Sequence, residues 1–156
     1  RRSAHAWVDS SHHELMTATT RDLLLDQLIV HESLRLFPYM DSVGKITIGV
    51  GRNLSDKGLA RPEVMGLLNN DVDEVLADLA TFPWFLTLDP VRQRVVADMR
   101  FNLGPDRFRG FKRTLRAVAE GNYKRAALGM RESVWAQQVK TRATRLIGMM
   151  ETGKDA

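Results

Sequence analysis

The stretch His31-Glu32-Ser33-Leu34-Arg35-Leu36-Phe37-Pro38-Tyr39-Met40-Asp41-Ser42-Val43-Gly44-Lys45-Ile46-Thr47-Ile48-Gly49-Val50-Gly51 changes its period partway along. Just before it, Leu24, Leu25, Leu28 and Ile29 recur at helical spacing, and Thr20 is available as a cap. This helix is expected to run to about Leu36, where Pro38 stops it. Further on, Ile46 and Ile48 alternate with Lys45, Thr47 and Gly49, and Gly44 stands where a turn is needed. Residues 39–53 are therefore predicted as a small, glycine-rich β-hairpin.

Working outward, residues 61–80 return to helical spacing, with Val64, Leu67, Leu68, Val72, Val75, Leu76 and Leu79 on one side and Pro62 in the first turn. They predict one helix of about 19 residues. Beyond Pro83 come shorter helices over roughly 90–103, 113–120, 123–127 and 139–150, broken at Gly104-Pro105, Gly110 and Gly121. No internal repeat interrupts this order. The fold expected is α+β, a small N-terminal β-hairpin lobe over about 20–60, a long joining helix, and a helical bundle over about 81–153. A cleft between sheet and bundle is the natural place for a ligand.

At 156 residues, the chain fits one domain that removes roughly two-thirds of its unfolded surface from water. It has no cysteine, which excludes disulfides, thiolate metal sites and thiol catalysis. The longest apolar runs, at 23–25 and 28–30, fall far short of the ~18 residues of a membrane span, so a soluble protein is expected. The first fifteen residues lack the apolar core of a secretion signal and read as an appended or unstructured leader, with Met16 as a natural start. His5, His12 and His13 in that leader have no fixed geometry, and no metal site is expected there.

Charge is distributed unevenly. Residues 1–90 hold 8 Lys and Arg against 13 Asp and Glu, net −5, whereas residues 91–156 hold 15 against 6, net +9. A basic half attracts nucleic acid, anionic wall polymer and anionic membrane alike, or simply solvates the surface. Gly49-Val50-Gly51-Arg52-Asn53-Leu54 is not a GxGxxG loop and no βαβ unit surrounds it, so nucleotide binding is not expected.

Glycoside cleavage asks for a carboxylic acid that keeps its proton near neutral pH and for a second carboxyl group that handles water or the developing cation. Glu32, at the end of the helix, and Asp41, at the opening of the hairpin, are candidates for that pair. Thr47, on the following strand, carries a hydroxyl able to orient a water beside Asp41. Gly49 and Gly51 would let a bulky ligand approach the backbone.

Eight residues separate Glu32 from Asp41 and five separate Asp41 from Thr47. With the Thr47-Ile48-Gly49-Val50-Gly51 strand, this segment resembles the active-site region of phage-type lysozymes, the endolysins of glycoside hydrolase family 24. The resemblance extends over Leu67-Leu68-Asn69-Asn70-Asp71-Val72-Asp73, Phe101-Asn102-Leu103-Gly104, Gly110-Phe111, Trp135 and Arg142-Ala143-Thr144-Arg145, covering residues 21–153.

The resemblance implies a lysozyme-like fold and hydrolysis, with inversion, of the β-1,4 bond between N-acetylmuramic acid and N-acetylglucosamine in peptidoglycan. Glu32 would be the general acid, Asp41 the carboxylate that activates water, and Thr47 the positioner of that water. Phe101, Asn102 and Gly51 would line the substrate groove, and Arg142 would approach the catalytic glutamate. Many relatives have His where this chain has Arg52; Arg52 and Asp71 would here form an ion pair between sheet and long helix.

No cofactor is implied. A monomer is expected, without nucleic acid as partner, released from the host cytoplasm by a holin to lyse the cell. The basic C-terminal half would add attraction to an anionic wall or outer-membrane surface. Alternatives are a catalytically silent wall-binding module, a cationic membrane-disrupting protein, or a lytic transglycosylase in which Asp41 and Thr47 are spectators.

Overall fold

The computed structural model of the chain describes residues 16–156; the histidine-rich leader lies outside the described residues. The chain divides into two compact units, one up to Ala60 and one from Arg61 to Ala156.

The first unit opens with helix α1, Ala18–Glu32, whose N-cap is Thr17 rather than Thr20. The Thr17 hydroxyl accepts the backbone N–H of Thr20 at 3.2 Å, satisfying one of the free donors of the first turn. The helix stops at Glu32, short of the expected Leu36, because Ser33 turns the backbone to φ 65°, ψ 152°. That region is one that glycine alone enters without strain. Substituting Ser33→Gly is expected to relieve about 1 kcal/mol net, raising the melting temperature by roughly 2–4 °C; a thermal denaturation curve with no rise would contradict this.

Past the break, strands β1 (Arg35–Met40), β2 (Ile46–Gly49) and β3 (Arg52–Asn53) form an antiparallel sheet in the order β1-β2-β3. Tyr39 pairs with Thr47, Met40 with Ile46, and Thr47 in turn with Asn53. Pro38 therefore lies inside an edge strand instead of terminating a helix. An edge strand tolerates its missing N–H, and the register shifts between Arg35 and Tyr39. Gly49 and Gly51, both at φ 67°, carry the chain from β2 to β3.

The second unit is helical: α2 Arg61–Leu79, a 3-10 turn at Phe85–Thr87, α3 Pro90–Leu103, α4 Pro105–Arg109, α5 Lys112–Ala119, α6 Tyr123–Arg131, α7 Val134–Val139 and α8 Thr141–Thr152. Asp89 caps α3 by accepting from Arg92 N–H at 3.0 Å, ahead of Pro90 at the first helical position. Asn122 and Ser133 cap α6 and α7 in the same way. Leu79, Val95, Val96, Met99, Phe108, Met130 and Met150 form the fully buried centre. Of the stripe expected on α2, Val75 and Leu79 are buried.

Two arginines tie these helices together. Arg92 on α3 donates from Nε to the Met150 carbonyl at 2.7 Å and from Nη2 to that of Glu151 at 3.0 Å, capping the end of α8. Its guanidinium lies 3.7 Å from the centre of the Tyr123 ring. Arg100, 5% exposed, pairs with Asp78 on α2, which Arg109 also engages.

Candidate active site

In the first unit, Asp41 sits at the turn between β1 and β2 and is fixed by its own loop. Its Oδ1 accepts the backbone N–H of Val43 at 3.0 Å and of Lys45 at 2.8 Å, while the Asp41 N–H donates to the Lys45 carbonyl at 2.9 Å. One carboxylate oxygen is thus committed to the backbone. The other, Oδ2, has one hydrogen-bond partner among the described residues, the Thr47 hydroxyl at 3.5 Å. Thr47, 3% exposed, also lies 3.3 Å from the Lys45 carbonyl. A hydroxyl has one proton to give, so a water near Oδ2 would find an acceptor in the carboxylate and a partner in Thr47.

Glu32 ends α1 and its carboxyl group lies directly over Gly51. A Cβ placed on Gly51 would stand 2.9 Å from Glu32 Oε2 and 3.2 Å from its Cδ. Gly51, expected to let a ligand approach the backbone, makes room for the carboxyl of the candidate acid. The Glu32 and Gly51 pair and the Asp41 and Thr47 pair therefore occur in one small unit.

The other expected residues are distributed as follows. Arg52 is in β3, where Nη1 donates to the Gly58 carbonyl at 3.3 Å. Asp71 is on α2 and exposed. In the second unit, Phe101 is 43% exposed and lines a concavity of about 670 Å³ with Asp98 and Arg142, among others. Phe101 is thus not a core residue. Arg142 Nε donates to Asp98 Oδ1 at 2.7 Å. Asn102 accepts the Trp135 indole N–H on its Oδ1 at 2.8 Å, which leaves its Nδ2 hydrogens to offer outward.

Asp98 was not singled out by sequence reasoning. Its place three residues before Phe101 on α3 puts the two on one helix face, and that spacing was the available signal. Its pairing with Arg142, 44 residues away, has no local trace.

A helix tipped by one carboxyl group, beside a short sheet whose turn holds another next to a buried hydroxyl, has the makings of an acid-assisted glycoside hydrolase. The phage lysozyme family model matches residues 30–151, and the chain belongs to that family. It is 24% identical over 163 residues to "Probable T4-type lysozyme 2" of Dictyostelium discoideum, covering 83% of this chain and 94% of that protein. It is 26% identical over 158 residues to "Probable T4-type lysozyme 1" of the same organism, with 82% and 93% covered. The pre-baseplate central spike protein of Enterobacteria phage T4 is 24% identical over 151 residues, 78% of this chain but 26% of that protein. The chain is thus a lysozyme-type glycoside hydrolase.

Proposed function

We propose that this chain is a muramidase that cleaves the β-1,4 bond between N-acetylmuramic acid and N-acetylglucosamine in peptidoglycan. Glu32 gives its proton to the departing glycosidic oxygen. Water held between Asp41 Oδ2 and the Thr47 hydroxyl attacks the anomeric carbon, and its proton passes to Asp41, so that acid and base exchange states once per turnover. Attack from the face opposite the leaving group inverts the anomeric configuration. The aromatic face of Phe101, the free amide hydrogens of Asn102 and the Arg142 guanidinium hold the glycan. In its host setting the enzyme serves cell lysis by a phage, reaching the wall through a holin.

The observation that carries this reading is the division of labour at Asp41: Oδ1 bonded to two backbone N–H groups, Oδ2 left facing a buried threonine hydroxyl. The test is digestion of purified, protein-free peptidoglycan, with fragments identified by mass spectrometry and the new anomeric proton followed by NMR. Hydrated reducing ends appearing first as the α-anomer support inverting hydrolysis. Anhydro ends would establish transglycosylation instead, and an uncleaved wall that still binds the protein would establish a silent binding module.

Gly51 offers a second handle. In the Gly51→Ala protein the new methyl meets Glu32 Oε2, and an L-residue at φ 67° is strained by about 1 kcal/mol. The carboxyl must move, and an ångström of misplacement costs on the order of 100-fold in rate. Turbidity clearing of peptidoglycan by Gly51→Ala at the wild-type rate would remove Glu32 from the role of acid as placed.

A further inference from the structure

The basic residues of the second unit are of two kinds. Arg92, Arg94, Arg100, Arg109, Arg131 and Arg142 each have a carboxylate partner. Among the described residues the others have no side-chain carboxylate partner; Arg61, Arg107, Lys140, Arg145 and Lys154 are spread over the unit, whereas Lys112, Arg113 and Arg116 lie together on α5 and Lys124 and Arg125 on α6. These five residues occupy two packed helices. Apart from Ala119, every exposed residue of α5 is basic; apart from Leu128, every exposed residue of α6 is basic. Like charges gathered without ion-pair partners repel one another, a cost that a solvated face built for solubility avoids by interspersing signs.

Beside this face, α5, α6 and the start of α7 enclose a concavity of about 600 Å³, whose lining includes Lys112, Arg113, Arg125, Leu128, Val134 and Trp135. Thr114 also lines it. That residue is 6% exposed, and its hydroxyl has no hydrogen-bond partner among the described residues. Gly129 on α6 lets the two helices approach closely here, since a Cβ at that position would collide with Thr114 Oγ1. Unpaired cations around a concavity with a free hydroxyl describe a seat for an oxyanion.

We propose that this face docks on an anionic phospholipid membrane, with headgroup phosphates seated on Lys112, Arg113 and Arg125 and reached by the Thr114 hydroxyl. The apolar residues select lipid over nucleic acid. Leu128 and Val134 stand 46% and 67% exposed between the cations, suited to the headgroup–acyl boundary. Conversely, Trp135 is buried and packs edge-on with Phe111, ring centres 6.2 Å apart, so its indole is not exposed as a stacking platform for bases. The single carboxylate in the lining, Glu132, is outnumbered by Arg107, Lys112, Arg113 and Arg125, so the lining keeps a net positive charge.

The test is co-sedimentation of the full chain with phosphatidylglycerol-containing vesicles and with pure phosphatidylcholine vesicles, which needs no turnover and so stands or fails apart from the hydrolase reading. The Lys112→Gln, Arg113→Gln, Arg125→Gln triple variant is compared with Arg94→Gln, Lys140→Gln, Lys154→Gln, which removes the same charge elsewhere. Binding to anionic vesicles alone, reduced roughly 100-fold in the first variant at about fivefold per cation and much less in the second, supports the proposal. A Leu128→Ser, Val134→Ser protein should lose affinity while keeping the salt dependence of binding. Equal loss in both triple variants, indifference to headgroup charge, or tight binding to a DNA oligonucleotide in place of vesicles would each overturn it.

Discussion

Glu32→Gln is expected to lower glycan hydrolysis by roughly 1,000-fold, within the 10²–10⁴ range that a positioned proton donor contributes, while leaving the melting temperature nearly unchanged. Glutamine has the shape of glutamic acid, so it fits over Gly51 as Glu32 does, and it binds substrate in the same place. It lacks an acidic proton, so the departing sugar must leave as an alkoxide. Asp41→Asn disables the other half of the reaction in a distinguishable way. The asparagine oxygen can take over the role of Oδ1, accepting from Val43 and Lys45, which puts an NH2 group where Oδ2 faces Thr47. An NH2 group donates where the attacking water needs an acceptor. Both variants should bind peptidoglycan and fail to clear it. Azide, a nucleophile that needs no general base, should restore turnover to Asp41→Asn on an activated substrate and not to Glu32→Gln on peptidoglycan. Clearing by Glu32→Gln at a rate within tenfold of wild type would mean that another group supplies the proton.

The proposed site was legible in the sequence because its parts are local. Glu32, Asp41 and Thr47 fall within one helix end, one turn and one strand, and their spacing survives even though the boundary between helix and strand was misplaced. That boundary was misread for a physical reason. Leu34, Leu36 and Pro38 are compatible with a helix that runs on to a proline stop, whereas the actual break is the strained backbone of Ser33, a conformation that its side chain does not announce. Helices α2 and α3 were legible because they are long and periodic, and α3 is punctuated by Asp89-Pro90 before and Gly104 after. The five-residue α4 and the six-residue α7 are too short for periodicity. At α4, Gly104-Pro105 was read only as a break, although a proline also suits the first turn of a new helix. Helix α6 continues to Arg131, past the expected Ala127, because burial of Met130 outweighs the poor propensity of Gly129. Contacts that close at long range, Asn102 with Trp135 and Asp98 with Arg142, left no pattern to read.

The same limit hid Asp78, which lies 22 residues from Arg100 and 31 from Arg109, and there the largest effect on stability is expected. Arg109 reaches Asp78 with both terminal nitrogens, at 2.5 and 3.0 Å, and Arg100 bonds its Oδ2 from Nε. Arg100 is almost wholly buried, and its other carboxylate, Glu74, stands 4.0 Å away and largely in solvent. Asp78→Asn would leave a buried guanidinium without its counter-charge, a loss of about 3–5 kcal/mol, or roughly 10 °C in melting temperature for a chain of this size. Arg100→Met removes the stranded charge, so the Asp78→Asn, Arg100→Met double variant should be more stable than Asp78→Asn alone. A double variant whose destabilisation is simply the sum of the two singles would show that the pair is not coupled. Acid offers an independent check. The hydrogen bond from Arg109, with that from Arg100 and the charge of both, overcomes the opposing effect of burial and lowers the Asp78 pKa from 3.8 to about 2. A carboxyl group whose folded pKa lies below its unfolded one adds stability that is fully present above about pH 4 and disappears as the pH falls toward 2. For Asp78 this amounts to about 2 kcal/mol. Urea denaturation of the wild type should therefore weaken across that window, and Asp78→Asn, already lacking the charge, should show a shallower decline.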